Sequence, residues 1–263
     1  MYPVLFRIGE FEVTSFGVLV GIAALVGIWV FTRELERSGL PGGASDAAVA
    51  GVLGGLLGAK LLWTIEFSGT EPIANLLFSR GGLSWFGGLI GGLGTGVWML
   101  HRRRVPLIPA LAAATPALAI GHAIGRIGCF LVGDDYGRPS DLPWAVAFPK
   151  GLPPTSVQVH PTQLYEAAAL AVIAWLLVRW RRQGVADSMV LGRYFILAGT
   201  TRFAIEFIRV NAHVLGPFTL AQLISMSLVI AGLTIVRKGD LRDSQNRRRE
   251  PGGRTGVGGS GRP

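Results

Sequence analysis

The chain has 263 residues, of which 50% are hydrophobic and 16% are charged, and its formal net charge is +9. Soluble domains carry about 25% charged residues, so the apolar excess and the 38 glycines are typical of a helical membrane protein. The single cysteine excludes an intrachain disulfide and a zinc site built on several cysteines. The basic residues lie between apolar runs, so the positive charge does not indicate a nucleic-acid-binding protein.

The predicted elements, in chain order, are membrane spans. A helix needs about 20 apolar residues to cross a bilayer. Seven runs come near that length, at 16–33, 46–67, 83–100, 106–125, 162–180, 189–208 and 218–236. Prolines interrupt the fourth run and charges interrupt the sixth. The sequence therefore predicts an all-α membrane protein, a polytopic bundle of about seven transmembrane helices with a non-cytoplasmic loop region.

Basic residues follow the first, third, fifth and seventh runs, and seven spans would bring all of them to one face of the membrane. They occur at 33–37, 102–104, 179–182 and 237–249. The positive-inside rule then predicts an N-terminus outside the cytoplasm and a C-terminus in the cytoplasm. Residues 1–239 are predicted to form a single transmembrane domain. Residues 240–263 are basic and lack apolar periodicity, which predicts a disordered cytoplasmic tail.

Two segments between the runs are predicted to lie on the non-cytoplasmic face. Residues 134–161 form the longest loop and are rich in proline, aspartate and glycine. Residues 70–80 are too short to span a bilayer, and they indicate a short interfacial helix.

Charged residues within apolar runs mark the first candidate site. Burying an arginine or aspartate at the centre of a membrane helix costs about 2.5–3.5 kcal/mol. Arg126 stands between Gly125 and Gly128, and small residues at helical spacing let a helix or a lipid headgroup approach the backbone. A guanidinium group suits a phosphate. An arginine that reaches the interface, or one that pairs with Asp134, explains the same pattern.

The motif TRFAIEFIR supplies a second group, because Arg202, Glu206 and Arg209 fall on one face of a continuous helix. Arg202 and Glu206 can pair, and a structural ion pair explains Glu206 at least as well as a catalytic role. The surplus positive charge of the group predicts an anionic partner for Arg202.

His160 and Cys129 are the remaining candidates for chemistry. His160 precedes Pro161, which favours the first turn of a helix, and it suits either a general base or a capping residue. Cys129 suggests a nucleophile, with His122 seven residues away as the nearest base, although a small buried thiol is commoner. We find no metal-ligand spacing. The stretch GVLGGLLGAK resembles a phosphate loop only loosely and indicates a helix-packing face.

Several motifs together indicate a family. GRIGCFLVGDDYG at 125–137 resembles the signature of bacterial prolipoprotein diacylglyceryl transferases, Gly-Arg-x-Gly-Asn-Phe-x-Asn-x-Glu-x-x-Gly. HPTQLYE at 160–166 and RFAIEFIR at 202–209 are similar to two further segments of that family. GGLIGG at 87–92 and LAQLIS at 220–225 also fit. The resemblance covers nearly the whole chain in order and implies seven spans in the bacterial inner membrane, with a periplasmic N-terminus.

The resemblance also implies a reaction, which is the first step of bacterial lipoprotein maturation. A diacylglyceryl group moves from phosphatidylglycerol to the lipobox cysteine thiol of a prolipoprotein, and glycerol phosphate leaves. The implied partners are phosphatidylglycerol, prolipoprotein signal peptides and membrane lipid, without a cofactor, a metal or nucleic acid. The implied lipid site comprises Arg126, Gly125, Gly128, Gly137 and Arg202. The implied catalytic residues are Arg126, Arg202, His160, Asp134 and Glu206.

The chain departs from the family pattern at several positions, among them Val132 in place of the second asparagine of the signature and Phe16 in place of a tyrosine in the first span. Cys129 replaces an asparagine, Asp134 a glutamate, Phe86 a histidine or tyrosine, and Ala198 a tyrosine. The pattern therefore favours a lipid site over a defined acid–base scheme, with His160 as the candidate base that is left. A transporter or flippase of anionic amphiphiles is one alternative, and a lipid-binding paralog without turnover is another. Transporters often contain symmetric repeats, and the lack of a convincing repeat in the sequence favours the enzyme.

Overall fold

The computed structural model describes residues 2–9, 11–79 and 82–249. Helices dominate it, and three antiparallel two-stranded sheets lie between them. In chain order the elements are β1 (Val4–Ile8), β2 (Phe11–Thr14), α1 (Ser15–Arg37), a 3₁₀ turn (Gly42–Ser45), α2 (Asp46–Glu66), α3 (Ile73–Phe78), α4 (Trp85–Arg102), α5 (Leu107–Val132), β3 (Val146–Phe148), β4 (Thr155–Val159), α6 (Thr162–Arg182), α7 (Asp187–Glu206), β5 (His213–Leu215), β6 (Phe218–Thr219) and α8 (Leu220–Arg249).

A helix occurs at each of the seven predicted spans, but only part of the span count is supported. Of the described helices, α1, α2, α5, α6 and α8 are long and apolar enough to cross a membrane. Helix α4 is short and rich in glycine, and it ends in His101 and Arg102. Helix α7 carries Asp187, Arg193, Arg202 and Glu206. The fold is therefore that of a mostly helical membrane protein with five clear candidate spans.

The structure corrects several boundaries. Helix α5 continues to Val132, so Arg126 lies inside the helix and not beyond its end at residue 125. Helix α8 extends to Arg249, so it includes residues 240–249 of the predicted tail; residues 250–263 lie outside the described residues. The loop 134–161 contains the hairpin of β3 and β4. The helix predicted within 70–80 is present as α3.

Helices α2 and α4 pack with their backbones almost in contact. A Cβ atom added to Gly91 would lie 2.2 Å from the carbonyl oxygen of Gly54, and one added to Gly58 would lie 2.3 Å from that of Gly87. Such close packing between membrane helices requires small residues at the interface. The stretch GVLGGLLGAK is therefore a packing face, as the sequence indicates, and not a phosphate loop.

Helix α5 forms the centre of the bundle and packs against α1, α6 and α7. Its alanines at 110, 112, 113 and 119 are fully buried, and these small side chains allow the neighbouring helices to come close. The α2–α4 pair leaves an apolar cavity of about 520 Å³ between itself and the α1–α5 pair. Leu100 of α4 and His122 of α5 are among the residues that line the cavity.

The segments that follow α5 and α7 meet at one end of the bundle. The backbone of Gly137 forms a bridge with that of Arg209, and Pro139 forms another with Val159. The N-terminal segment joins them, because the Tyr2 N–H donates to the carbonyl oxygen of Leu131 at 3.2 Å. Residues that are distant in sequence are thus gathered around the last turns of α5.

Candidate active site

The turn after α5 carries a carboxylate back to Arg126. Helix α5 is capped by Gly133, which adopts a left-handed conformation with φ 79°, and its N–H donates to the carbonyl oxygen of Cys129. Asp135 is also left-handed, with φ 61°. The reversal places Asp135 Oδ2 at 2.8 Å from Arg126 Nη1. The sequence offered Asp134 as a partner for Arg126. The aspartate that pairs with Arg126 is instead Asp135.

The first turn of α6 holds this loop in place and adds a second carboxylate. Thr162 Oγ1 donates to the carbonyl oxygen of Asp135 at 2.8 Å. One turn later Glu166 is buried, with Oε2 at 2.9 Å from Arg126 Nε. Its other oxygen lies 3.7 Å from His122 Nε2. Arg126 is thus held between one carboxylate from the loop and one from α6.

The end of α7 completes the cluster. Arg202 Nη1 lies 2.7 Å from Glu206 Oε2, which confirms the predicted pair. Arg209 lies beyond the helix end, so the expectation of one continuous helix face holds only as far as Glu206. Its guanidinium group pairs with Oδ1 of Asp135 and lies 3.8 Å from Glu206 Oε2.

These contacts form one continuous set of ion pairs between α5, α6, α7 and their loops. We call it the arginine–carboxylate network, and its members are Arg126, Asp135, Glu166, Arg202, Glu206 and Arg209. It contains three positive and three negative side chains. The positive charge that the sequence indicated as surplus is therefore balanced by carboxylates of the chain itself.

Exposure separates one carboxylate from the others. Glu166 and Glu206 are buried, whereas the Asp135 side chain is 42% exposed. Burial alone would raise the pKa of Asp135, but the guanidinium groups of Arg209 and Arg126 hold that pKa below its ordinary value. Burial raises the pKa of the neighbouring Asp134 above its ordinary value. Asp135 therefore stays ionised at the surface of the network.

The glycines predicted to border the lipid serve different purposes. Gly128 packs against Phe16 of α1, with 3.2 Å between an added Cβ atom and the Phe16 ring. Gly137 is enclosed, since an added Cβ atom would lie 2.6 Å from the carbonyl oxygen of Ile208. Gly125 faces open space within 4 Å, so among these three glycines it alone leaves room beside Arg126.

His160 is not joined to the network. Its Nδ1 atom lies 3.5 Å from the Tyr165 hydroxyl, and that hydroxyl accepts a hydrogen bond from Trp144 Nε1 at 2.7 Å. Among the residues that the structure describes, no ion pair connects His160 to an arginine of the network. The structure therefore brings Arg126, Arg202 and Glu206 together and leaves His160 to one side.

Three members of the network are absent from the predicted site residues. Glu166 belongs to the segment HPTQLYE and Arg209 to the motif TRFAIEFIR, and Asp135 occupies a variable position of the family signature. The spacing of Arg209 from Glu206 was the one usable signal, because residues three apart can meet near a helix end. The contacts of Asp135 depend on the left-handed turn and could not be read from spacing.

The cluster also contains three groups able to bind a metal ion. The Cys129 thiol and the carboxylates of Asp134 and Asp135 each offer one atom, and these atoms lie within 4.8 Å of one another. Both oxygens of Asp135 are already paired with guanidinium groups, and Arg126 Nη1 lies 3.9 Å from Cys129 Sγ. The arginines supply the positive charge that a metal would bring, so the arrangement suits an anionic ligand better.

Comparisons with known proteins agree with the motifs. A family model described as prolipoprotein diacylglyceryl transferase matches residues 3–237. The phosphatidylglycerol–prolipoprotein diacylglyceryl transferase of Geobacter sulfurreducens is 32% identical over 247 residues, covering 89% of this chain and 93% of that protein. Enzymes of the same name from Vibrio vulnificus and Vibrio cholerae are each 30% identical over 250 residues, covering 89% of this chain and 90% of each relative. The matched range includes every residue of the arginine–carboxylate network, and it confirms the resemblance found in the sequence.

Proposed function

The chain belongs to the prolipoprotein diacylglyceryl transferase family, and on that premise we propose that it transfers the diacylglyceryl group of phosphatidylglycerol to the lipobox cysteine of prolipoproteins. A bond forms between the thiol sulfur and the glyceryl carbon. The bond from that carbon to the phosphate oxygen breaks, and glycerol phosphate leaves with the electron pair. The thiol proton passes to a base.

The observation that carries this proposal is the position of the arginines at the end of an apolar cavity. The cavity of about 520 Å³ reaches His122, and Arg126 follows one helical turn later. An acyl chain fits an apolar space of this kind, and the headgroup would then lie among the arginines. Negative charge grows on the phosphate oxygens as the carbon–oxygen bond breaks, and fixed guanidinium donors stabilise that charge without reorganising.

Roles within the site follow from the contacts. Arg126 binds the lipid phosphate, with the open side of Gly125 giving access, and Arg202 contributes a second positive charge. Glu206 orients Arg202, because Glu206 Oε2 lies 2.7 Å from Arg202 Nη1. Asp134 lies beside the site and orients the headgroup. His160 is the candidate base. It can accept the proton of the acceptor thiol only if that thiol binds on the Tyr165 side of the loop.

We further propose that α4 and α7 cross the bilayer with the five clear spans, which makes seven in the bacterial inner membrane. Each has a membrane-spanning partner along its length, α2 for α4 and α8 for α7. Glycines of α4 and α7 face these neighbours, and the charged Asp187 and Arg193 of α7 contact Arg181 and Trp180 of α6, which lowers the cost of embedding them. Seven spans place the network on the periplasmic side, where prolipoproteins emerge, and the C-terminus in the cytoplasm.

Complementation tests the function. A strain depleted of its own transferase should grow when this chain is expressed, and mass analysis of a reporter prolipoprotein should show the diacylglyceryl thioether. The purified protein should also form the product in detergent micelles containing phosphatidylglycerol and a lipobox peptide. A micelle does not separate two aqueous compartments, so a transporter or flippase would form no product there. A stably expressed protein that yields no thioether in either assay would refute the proposal.

A further inference from the structure

Asp135 occupies an unusual position between two arginines. One of its oxygens accepts from Arg126 Nη1 at 2.8 Å, and the other is paired with Arg209. Arg126 and Arg209 are 13% and 7% exposed, whereas Asp135 is 42% exposed. A single exposed carboxylate therefore bridges two largely buried guanidinium groups on the open side of the network, in addition to their contacts with Glu166 and Glu206.

The backbone at this position is fixed independently of the carboxylate. The carbonyl oxygen of Asp135 accepts from Thr162 Oγ1, and that of Asp134 accepts from the Gln163 side chain. The left-handed conformation of Asp135, with φ 61°, is one that aspartate and asparagine adopt more readily than most residues. The side chain can therefore rotate away from the arginines while the loop stays attached to α6.

Buried arginines need an anionic partner whether or not a ligand is present, because an unpaired buried charge is strongly destabilising. A phosphate that binds Arg126 Nη1 and Arg209 Nη2 must take the place of the carboxylate, since these two donors are already paired with the oxygens of Asp135. A carboxylate and a phosphate each present two oxygen atoms that can accept hydrogen bonds from guanidinium groups, often in a bidentate arrangement. The two anions thus compete for one position.

We infer that Asp135 is a built-in substitute for the lipid phosphate. It holds the position between Arg126 and Arg209 while the site is empty, gives way when phosphatidylglycerol binds, and returns as glycerol phosphate leaves. This inference rests on the proposed function, in which Arg126 binds the phosphate. Asp135 is then a positioning residue. Its competition weakens the binding of both phosphatidylglycerol and glycerol phosphate, and the weaker binding of glycerol phosphate speeds its release.

The competition predicts a change in binding that a purely structural role would not produce. When the binding-competent form is only part of the population, the apparent affinity falls by that fraction, so removing the competing carboxylate should strengthen binding. In Asp135→Asn, the KM for phosphatidylglycerol and the inhibition constant of glycerol 1-phosphate should both fall about fivefold or more. If Asp135 only held the arginines in place, both constants would rise.

The experiment uses the full-length purified protein with phosphatidylglycerol in detergent micelles and glycerol 1-phosphate as inhibitor. Asp141→Asn is the matched control, because Asp141 is an exposed carboxylate of the same loop, and its constants should equal those of the wild type. Asp135→Gly is the second variant, since glycine tolerates the positive φ, and it should behave like Asp135→Asn. Unchanged or raised constants in both variants would overturn the inference.

A binding measurement separates this inference from the proposed function. Glycerol 1-phosphate should raise the thermal unfolding midpoint of Asp135→Asn more than that of the wild type, since a ligand stabilises the state that it binds. This readout needs no turnover. If the wild type makes no thioether, the proposed function fails whatever the variants show. If the wild type is active and the variants show no stronger protection by glycerol 1-phosphate, the inference about Asp135 fails alone.

Discussion

Two sets of buried ion pairs hold α6 and α7 to the rest of the bundle, and they differ in how complete they are. The arginine–carboxylate network joins these helices to α5. At the other end of α6, Arg181 Nε donates to Glu34 Oε2 of α1 at 2.8 Å, and Arg181 Nη1 donates to Asp187 of α7 at 3.0 Å. We call the second set the closed network; Arg37 and Ser38 also belong to it.

The central pair of the closed network is shielded from solvent, whereas Arg37 and Asp187 at its edge are 48% and 37% exposed. The side chains of Glu34 and Arg181 are 2% and 6% exposed, and the Arg181 guanidinium group is bonded through all three of its nitrogens. In the arginine–carboxylate network, by contrast, an exposed Asp135 covers two arginines, and open space lies beside Gly125. The same residue types therefore build a shielded ion-pair cluster at one end of the bundle and, in our proposal, an exchangeable anion site at the other.

The largest expected effect is the loss of activity when an arginine of the arginine–carboxylate network is replaced. In Arg126→Ala and Arg202→Ala, kcat should fall by about 10²–10³-fold or more, which is the usual cost of removing one donor that stabilises transition-state charge. Product formation in the micelle assay measures it. Arg126→Lys keeps the charge beside buried Glu166 but loses the planar fork, so it should fold and still be severely impaired. Full activity in all three variants would exclude the phosphate role.

Replacing Glu34 tests the other half of the comparison. Glu34→Ala leaves Arg181 buried without its main partner, which should lower the free energy of unfolding by about 3–5 kcal/mol. Thermal unfolding in detergent measures the loss. Glu36→Ala is the matched control, because Glu36 forms an exposed pair with Arg33 and such pairs contribute about 0–1 kcal/mol. Variant protein that remains folded should keep its activity, and a selective loss of kcat would contradict the distinction between the two networks.

The sequence predicted the helices and the arginines more readily than the pairing between them. Arg126 and Arg202 stand out because charge inside an apolar run is rare and costly. Arg37 and Arg181 were taken for loop charges that set orientation, although Glu34 stands three residues before Arg37 and offered a local partner. Which helix faces which is decided by tertiary packing, and that packing is not encoded in local spacing.

The choice between Asp134 and Asp135 shows the limit most clearly. The two aspartates are adjacent and chemically identical, and family motifs drew attention to Asp134. The left-handed turn at Gly133 and Asp135 directs the second carboxylate to Arg126 and leaves the first beside Cys129. A one-residue shift in such a turn exchanges their roles, so only the folded backbone determines which aspartate completes the site.

Replacing Cys129 should give the smallest effect on activity. The substitution tests whether the site contains a nucleophile of its own. Its thiol is 3.9 Å from Arg126 Nη1, which is a weak contact for sulfur. His122, the nearest base in sequence, lies instead 3.7 Å from Glu166. Cys129→Ser should therefore keep kcat within about twofold of the wild type, because a neutral thiol contributes little to stabilising charge. Cys129→Asn, which restores the residue of the family signature, should also be active. A loss of more than about tenfold in Cys129→Ser, with diacylglyceryl found on Cys129 by mass analysis of the wild-type protein, would show that the group passes through the enzyme's own thiol.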